Sequence, residues 1–165
     1  MSTTTPDGGR VEYEYDLAGN LITEQSSVLR TDNDSKTHHI YEFGHLVTTD
    51  YPDATPDETF TWGGYSGVDP GDNGAGRVVE VEDAARHQVL GYDENGRVDS
   101  ETSTMLGNHP NNGPWTTEFD YDFLGRLAQV SLPDGETVIN DYDHGGQLSQ
   151  VRGEKACTAL GQLTV

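Results

Sequence analysis

Hydrophobic and polar residues alternate in short runs along this chain. Val11, Tyr13 and Tyr15 alternate with Glu12, Glu14 and Asp16; Phe60 and Trp62 with Thr59 and Thr61; Phe119 and Tyr121 with Glu118, Asp120 and Asp122. Period-two alternation of β-branched and aromatic residues predicts strands with one buried face. No window carries apolar residues at i, i+3, i+4 and i+7 for three turns, and Gly or Pro interrupts nearly every stretch long enough to do so. The expected fold class is therefore all-β: a meander of antiparallel β-hairpins.

One phrase joins the runs: Tyr-Asp-x-x-Gly-Arg followed by an aliphatic residue. It is nearly intact at Tyr92, Asp93, Gly96, Arg97 and Val98, and at Tyr121, Asp122, Gly125, Arg126 and Leu127. Looser copies stand at Tyr15, Asp16, Gly19 and Leu21, and at Tyr142, Asp143, Gly146 and Leu148. A copy one residue short has Tyr41, Gly44 and Leu46; another keeps Gly76, Arg77 and Val78 but has lost the Tyr. Recurrence at such intervals signals a repeat architecture, in which each unit mainly buries its neighbours.

Each phrase reads as a hairpin turn. A strand ends on the Tyr, and the Asp side chain bonds backbone amides two residues on and starts the turn. The Gly takes the positive φ of a type I turn with a bulge. The invariably aliphatic residue returns to the buried face. Pro-Asp-Gly at Pro133–Gly135, with Pro6–Gly8 and Pro52–Ala54, supplies turns between hairpins. Arg30–His39, Gly63–Gly76 and Met105–Pro114 read as loops. The expected organisation is a flexible N-terminal segment (1–10), a repeat region (11–152) and a non-repeat tail (153–165) that resembles a fraying or truncated end.

Composition narrows the function. Hydrophobic residues make up 32%, so a core would be thin. Asp and Glu total 29 against 9 Lys and Arg, a formal net charge of −20. Such a chain repels phosphate backbones and anionic lipid surfaces, which argues against nucleic-acid and membrane partners. No run approaches the length of a membrane span, and Met1–Arg10 lacks the apolar stretch of a signal peptide. The single cysteine, Cys157, has no activating neighbour and reads as a spare thiol.

The phrases resemble the YD repeat of the Rhs family, found in bacterial Rhs polymorphic toxins, TcC-type components of insecticidal toxin complexes and animal teneurins. Phe119–Gly135 and Thr137–Val151 carry the resemblance most closely, Tyr13–Thr23 and Gly91–Glu101 less so, and it extends over Val11–Arg152. The resemblance implies a curved strip of β-hairpins, part of a hollow spiralling shell that encloses a C-terminal toxic polypeptide or forms an extracellular scaffold. It implies non-catalytic repeats, a secreted or cell-surface setting within a larger protein, and the remaining repeats and an enclosed toxin as partners. The family's terminal region with its aspartate-dependent self-cleavage site is not found here; Asp69-Pro70-Gly71 reads as a turn.

Other chemistry is thin. The Tyr ladder could stack sugars, and a free-standing adhesin or carbohydrate-binding module is the alternative function, but turn position already accounts for each repeat residue. His38 and His39 with Asp32 and Asp34 suggest a metal, yet adjacent His residues point to opposite faces of a strand. Asp93–Gly96 and Asp32–Asp34 lack the spacing and closing Glu of a calcium loop. No catalytic motif occurs, so neither an enzyme nor a cofactor is expected.

Overall fold

A computed structural model describes residues 1–5, 9–31, 34–52, 54–64, 73–108 and 110–155. Thirteen strands follow in chain order: β1 (Ser2–Thr5), β2 (Gly9–Tyr15), β3 (Leu21–Gln25), β4 (Thr37–Glu42), β5 (His45–Asp50), β6 (Glu58–Trp62), β7 (Val78–Glu82), β8 (Arg86–Tyr92), β9 (Val98–Met105), β10 (Trp115–Tyr121), β11 (Leu127–Ser131), β12 (Glu136–Tyr142) and β13 (Leu148–Lys155). Each pairs antiparallel with the next, giving one sheet in the order β1 through β13. The all-β meander read from the alternation is what the chain forms. Among the described residues it does not close into a barrel, because β1 and β13 are not paired with each other.

The sheet is a single layer. Residues paired across strands share a face, so Phe60, Val81, Gln88, Ser103 and Trp115 line one row from β6 to β10. Phe119, Val130, Val138 and Gly153 continue that face to β13. The opposite face carries Glu12 beside Gln25, Glu14 beside Thr23, Thr59 beside Glu82 and Glu118 beside Ser131. Among the described residues no second layer covers the apolar face. Among the described residues Val79 is the one buried hydrophobic side chain, beside buried Thr23, Gln25 and Thr49. Ordinary domains bury such a face against another element. Here cohesion must come from strand pairing and from contacts between neighbouring hairpins.

The structure differs from the sequence expectations in three places. The N-terminal segment is not uniformly loose: Ser2–Thr5 forms β1 and pairs with Gly9–Glu12 of β2. Three β-branched threonines suit an edge strand, and β2 offers an open ladder to receive them. The Arg30–His39 loop is shorter than expected, because β4 starts at Thr37 and a five-residue helix, α1 (Ser27–Thr31), takes its beginning. The Ser26 side chain accepts the Leu29 amide at 3.3 Å and caps that helix. One turn is too short to leave a 3.6-residue pattern. At the other end the last repeat strand runs to Lys155, past the expected boundary at 152.

The Pro133–Gly135 turn forms as expected, with Leu132 and Glu136 closing it at 2.8 Å. Pro6–Gly8, Asp32, Asp53, Asp69–Gly71 and Cys157 lie outside the described residues.

Candidate functional site

The recurring phrase builds a turn with one hydrogen-bond pattern. In the β8–β9 hairpin, Asp93 Oδ1 accepts the backbone amides of Asn95 and Arg97, each at 2.9 Å. The Gly96 amide donates to the Asp93 carbonyl and the Asp93 amide to the Arg97 carbonyl. Asp122 does the same for Leu124 and Arg126, Asp143 for Gly145 and Gln147, and Asp16 for Ala18 and Asn20. The motif glycines all have φ between 70° and 91°. Register slips by one residue just before Tyr15, Tyr41, Trp62, Tyr92, Tyr121 and Tyr142, the bulge that the turn requires. The short copy at Tyr41 is a two-residue turn in which Phe43 and Gly44 both have positive φ, 50° and 83°.

The arginine does more than border the turn. Arg97 pairs with Asp93 through Nε at 2.7 Å and Nη2 at 2.6 Å, and Arg126 pairs with Asp122 at the same distances. The same guanidinium then reaches the next hairpin. Arg97 lies 4.2 Å from the Tyr121 ring centroid, Arg126 4.2 Å from that of Tyr142, and Arg77 5.5 Å from that of Tyr92. Each of these tyrosines also donates its hydroxyl backward, to the carbonyl of the aliphatic residue after that arginine. Tyr92 reaches Val78 at 2.5 Å, Tyr121 reaches Val98 at 2.9 Å and Tyr142 reaches Leu127 at 2.9 Å. The result is a latch: one hairpin's Arg covers the next hairpin's Tyr, whose hydroxyl holds the first hairpin's backbone.

The copy that lacks a Tyr has one in disguise. Trp62 stands opposite Val78 after the register slip, where Tyr92 stands opposite Val98. Its indole Nε1 donates to the Leu46 carbonyl at 2.8 Å, and its ring packs at 4.2 Å from His45, the residue in the arginine position. The segment from Gly63 to Gly76 is an insertion within that turn, which hid the aromatic from its glycine.

The other sequence candidates are not assembled. His38 pairs with Asp50 and His39 with Thr49, on opposite faces. No group of three or more His, Cys, Asp or Glu among the described residues is placed to hold a metal. Asp93 is committed to amides and to Arg97, which removes it from a calcium loop. The hydroxyls of Tyr92, Tyr121 and Tyr142 are spent on carbonyls, which weakens the sugar-ladder reading. No described helix is long and apolar enough to cross a membrane.

Electrostatics follow the turn. Hydrogen bonds from the Arg97 amide and guanidinium hold the Asp93 carboxyl below its ordinary range, and those from Arg126 do so for Asp122. Asn20 lowers Asp16, Lys155 lowers Asp134 and Arg152 lowers Asp141. Burial pushes the Tyr92 hydroxyl up, against the pull of Arg77. Every resolved carboxylate shift is downward, so the folded state binds fewer protons than the unfolded chain near the carboxylate range. These groups contribute stability that is complete above about pH 5 and is lost as pH falls through their lowered values, below about pH 4. Melting temperature should hold between pH 7 and 5 and fall below 4. A rise on acidification would contradict the assigned turns.

Over 95% of its length the chain superposes on the crystal structure of TcdB2-TccC3 without its hypervariable C-terminal region, with a TM-score of 0.72 and 20% identity. The Photorhabdus luminescens Tc holotoxin pore carrying TccC3-D651A gives 0.71 and 20% over 94%. The fold is the Rhs/YD-type β-strip. This strip spans only 8% of the length of those solved chains. No protein-family model and no curated protein sequence matches it. The latch explains how a YD strip keeps its shape without a second layer. The repeat phrase by itself does not disclose this contact. The available signal was a paired exchange: where Arg becomes His45, the next Tyr becomes Trp62.

Proposed function

We propose that this chain is a structural segment of a wall: an arc of an Rhs/YD-type shell that encloses or presents a toxin or effector polypeptide in a larger secreted or surface protein, with no catalysis of its own. The single-layer strip, latched hairpin to hairpin, carries the reading. A layer with one apolar face and one acidic face is suited to separating an interior from solvent. The superposition on TccC3-containing toxin structures supports the same reading.

Limited proteolysis of a longer polypeptide carrying this segment tests it. The part beyond the repeats should resist protease while the strip is intact. Phe119→Pro in β10, which removes a ladder donor from a central strand, should expose it. Equal digestion of both forms would sink the proposal.

A further inference from the structure

The tip of the β10–β11 hairpin carries two side chains that its turn does not need. Phe123 is 94% exposed and Leu124 61%. The β8–β9 turn holds Glu94 and Asn95 at the same two positions, and the β12–β13 turn His144 and Gly145, with the same amides bound to the leading aspartate. Polar residues therefore satisfy this turn, and an adjacent Phe–Leu pair held out in solvent marks an interaction surface. Phe43 at the β4–β5 tip repeats the observation. It is 81% exposed and stands at φ 50°, a conformation that a bulky aromatic residue rarely adopts.

The other end of the same hairpin is a recess. In this meander the turns after even-numbered strands share one rim of the sheet, and those after odd-numbered strands share the other. Trp115 opens β10, and Leu132, Pro133 and Asp134 belong to the turn after β11; together they line a cavity of 460 Å³ on that second rim. A smaller recess of 300 Å³ lies further along it, lined in part by Tyr51, Thr55, Pro56 and Ala85.

We propose that the chain associates with a second copy of itself rim to rim, the Phe123–Leu124 tip of one copy seated in the Trp115–Leu132–Pro133 recess of the next. Tip and recess are the two ends of one hairpin, so a single displacement along the strands mates them. Its size is about one hairpin length, roughly 24 Å for the seven residues of β10. The same displacement carries Phe43 toward the far end of β5, where Tyr51 borders the second recess.

Charge sets the conditions of the contact. At the tip Asp122 is paired with Arg126 at 2.6 Å, and in the recess Asp134 is paired with Lys155 at 2.6 Å, so both aspartates at this contact are compensated. The formal net charge of −20 still repels the copies at longer range. Association is therefore weak at low ionic strength and strengthens as salt screens the repulsion. The two surfaces differ, so the contact is heterologous and copies add in a row without closing.

The inference does not depend on the wall reading, because it concerns the isolated chain and needs no enclosed polypeptide. Sedimentation equilibrium of the full 165-residue chain tests it. The weight-average mass should rise over about 0.05–2 mM, the range expected of a small interface. It should rise further in about 0.5 M sodium chloride. Phe123→Ser with Leu124→Ser removes the tip, and Leu132→Asp blocks the recess; each variant should associate at least about tenfold more weakly. The tip variant changes only exposed residues, so its loss of association is not a loss of folding. Mixed in equal amounts, the two variants should form a dimer and nothing larger, because one intact tip then meets one intact recess. Amide shifts in the mixture should fall at Trp115 and Leu132–Asp134 of the tip variant and around Phe123 of the recess variant. Glu94→Ser, at a tip that is already polar, should leave association unchanged. A wild-type chain that stays monomeric throughout overturns the proposal, and so does a mixture in which the variants fail to pair. Association that both variants retain also overturns it and assigns the contact to the strand edges.

Discussion

Tyr121→Ala should lower the unfolding free energy by about 2.5–4 kcal/mol, the largest single loss expected in the strip. Three contributions add. Partial burial of a large ring is worth about 1–2 kcal/mol. The hydroxyl bond to Val98 contributes roughly 1 kcal/mol. The Arg97 guanidinium over the ring adds about 0.5–1 kcal/mol. Tyr121→Phe removes only the hydroxyl and should cost about 1 kcal/mol. Each hairpin contacts only its neighbours, so unfolding need not be two-state, and amide hydrogen exchange is the suitable measurement. Protection should fall first in β9 and β10, at the broken junction. Equal losses for Ala and Phe would show that the ring and its cation contribute nothing. Uniform loss along the sheet would show that the latch is not a local device.

Gly125→Val should cost about 2–3 kcal/mol, against less than about 0.5 kcal/mol for Phe123→Ser two residues away. Gly125 sits at φ 80°, where a β-branched residue is strained. A Cβ there would also stand 3.0 Å from Arg97 Nη1, the guanidinium arriving from the preceding hairpin. Phe123 sits at the tip, 94% exposed, and loses little. Thermal unfolding of both variants checks this. Equal effects would remove the turn assignment. Two requirements thus converge on one glycine, the conformation of its own turn and the space its neighbour's arginine occupies.

The local half of this arrangement was legible in the residues. Asp93 and Asp122 accept amides two and four positions on, and their glycines lie within the same six residues, so spacing alone predicts the turn. Period-two alternation likewise places Phe119 and Tyr121 on one face. The tyrosine latch was not legible. Tyr121 finds Val98 across 23 residues that include the connection between β9 and β10, and nothing in either phrase announces the other. Trp62 was hidden for the same reason, because the Gly63–Gly76 insertion separates it from the glycine of its own turn. Helix α1 was missed because five residues leave no periodicity to read.

By itself, then, the sequence determined the hairpins: which residues extend, which turn, and that the turns repeat. Hydrogen bonds spanning four residues depend only on local order, and local order is what a sequence states directly. The tertiary structure decided that the described hairpins lie side by side in one layer, and that Arg97 and Arg126 each serve two hairpins. Those outcomes depend on register across connections of unequal length, and register is settled only when the strands pair.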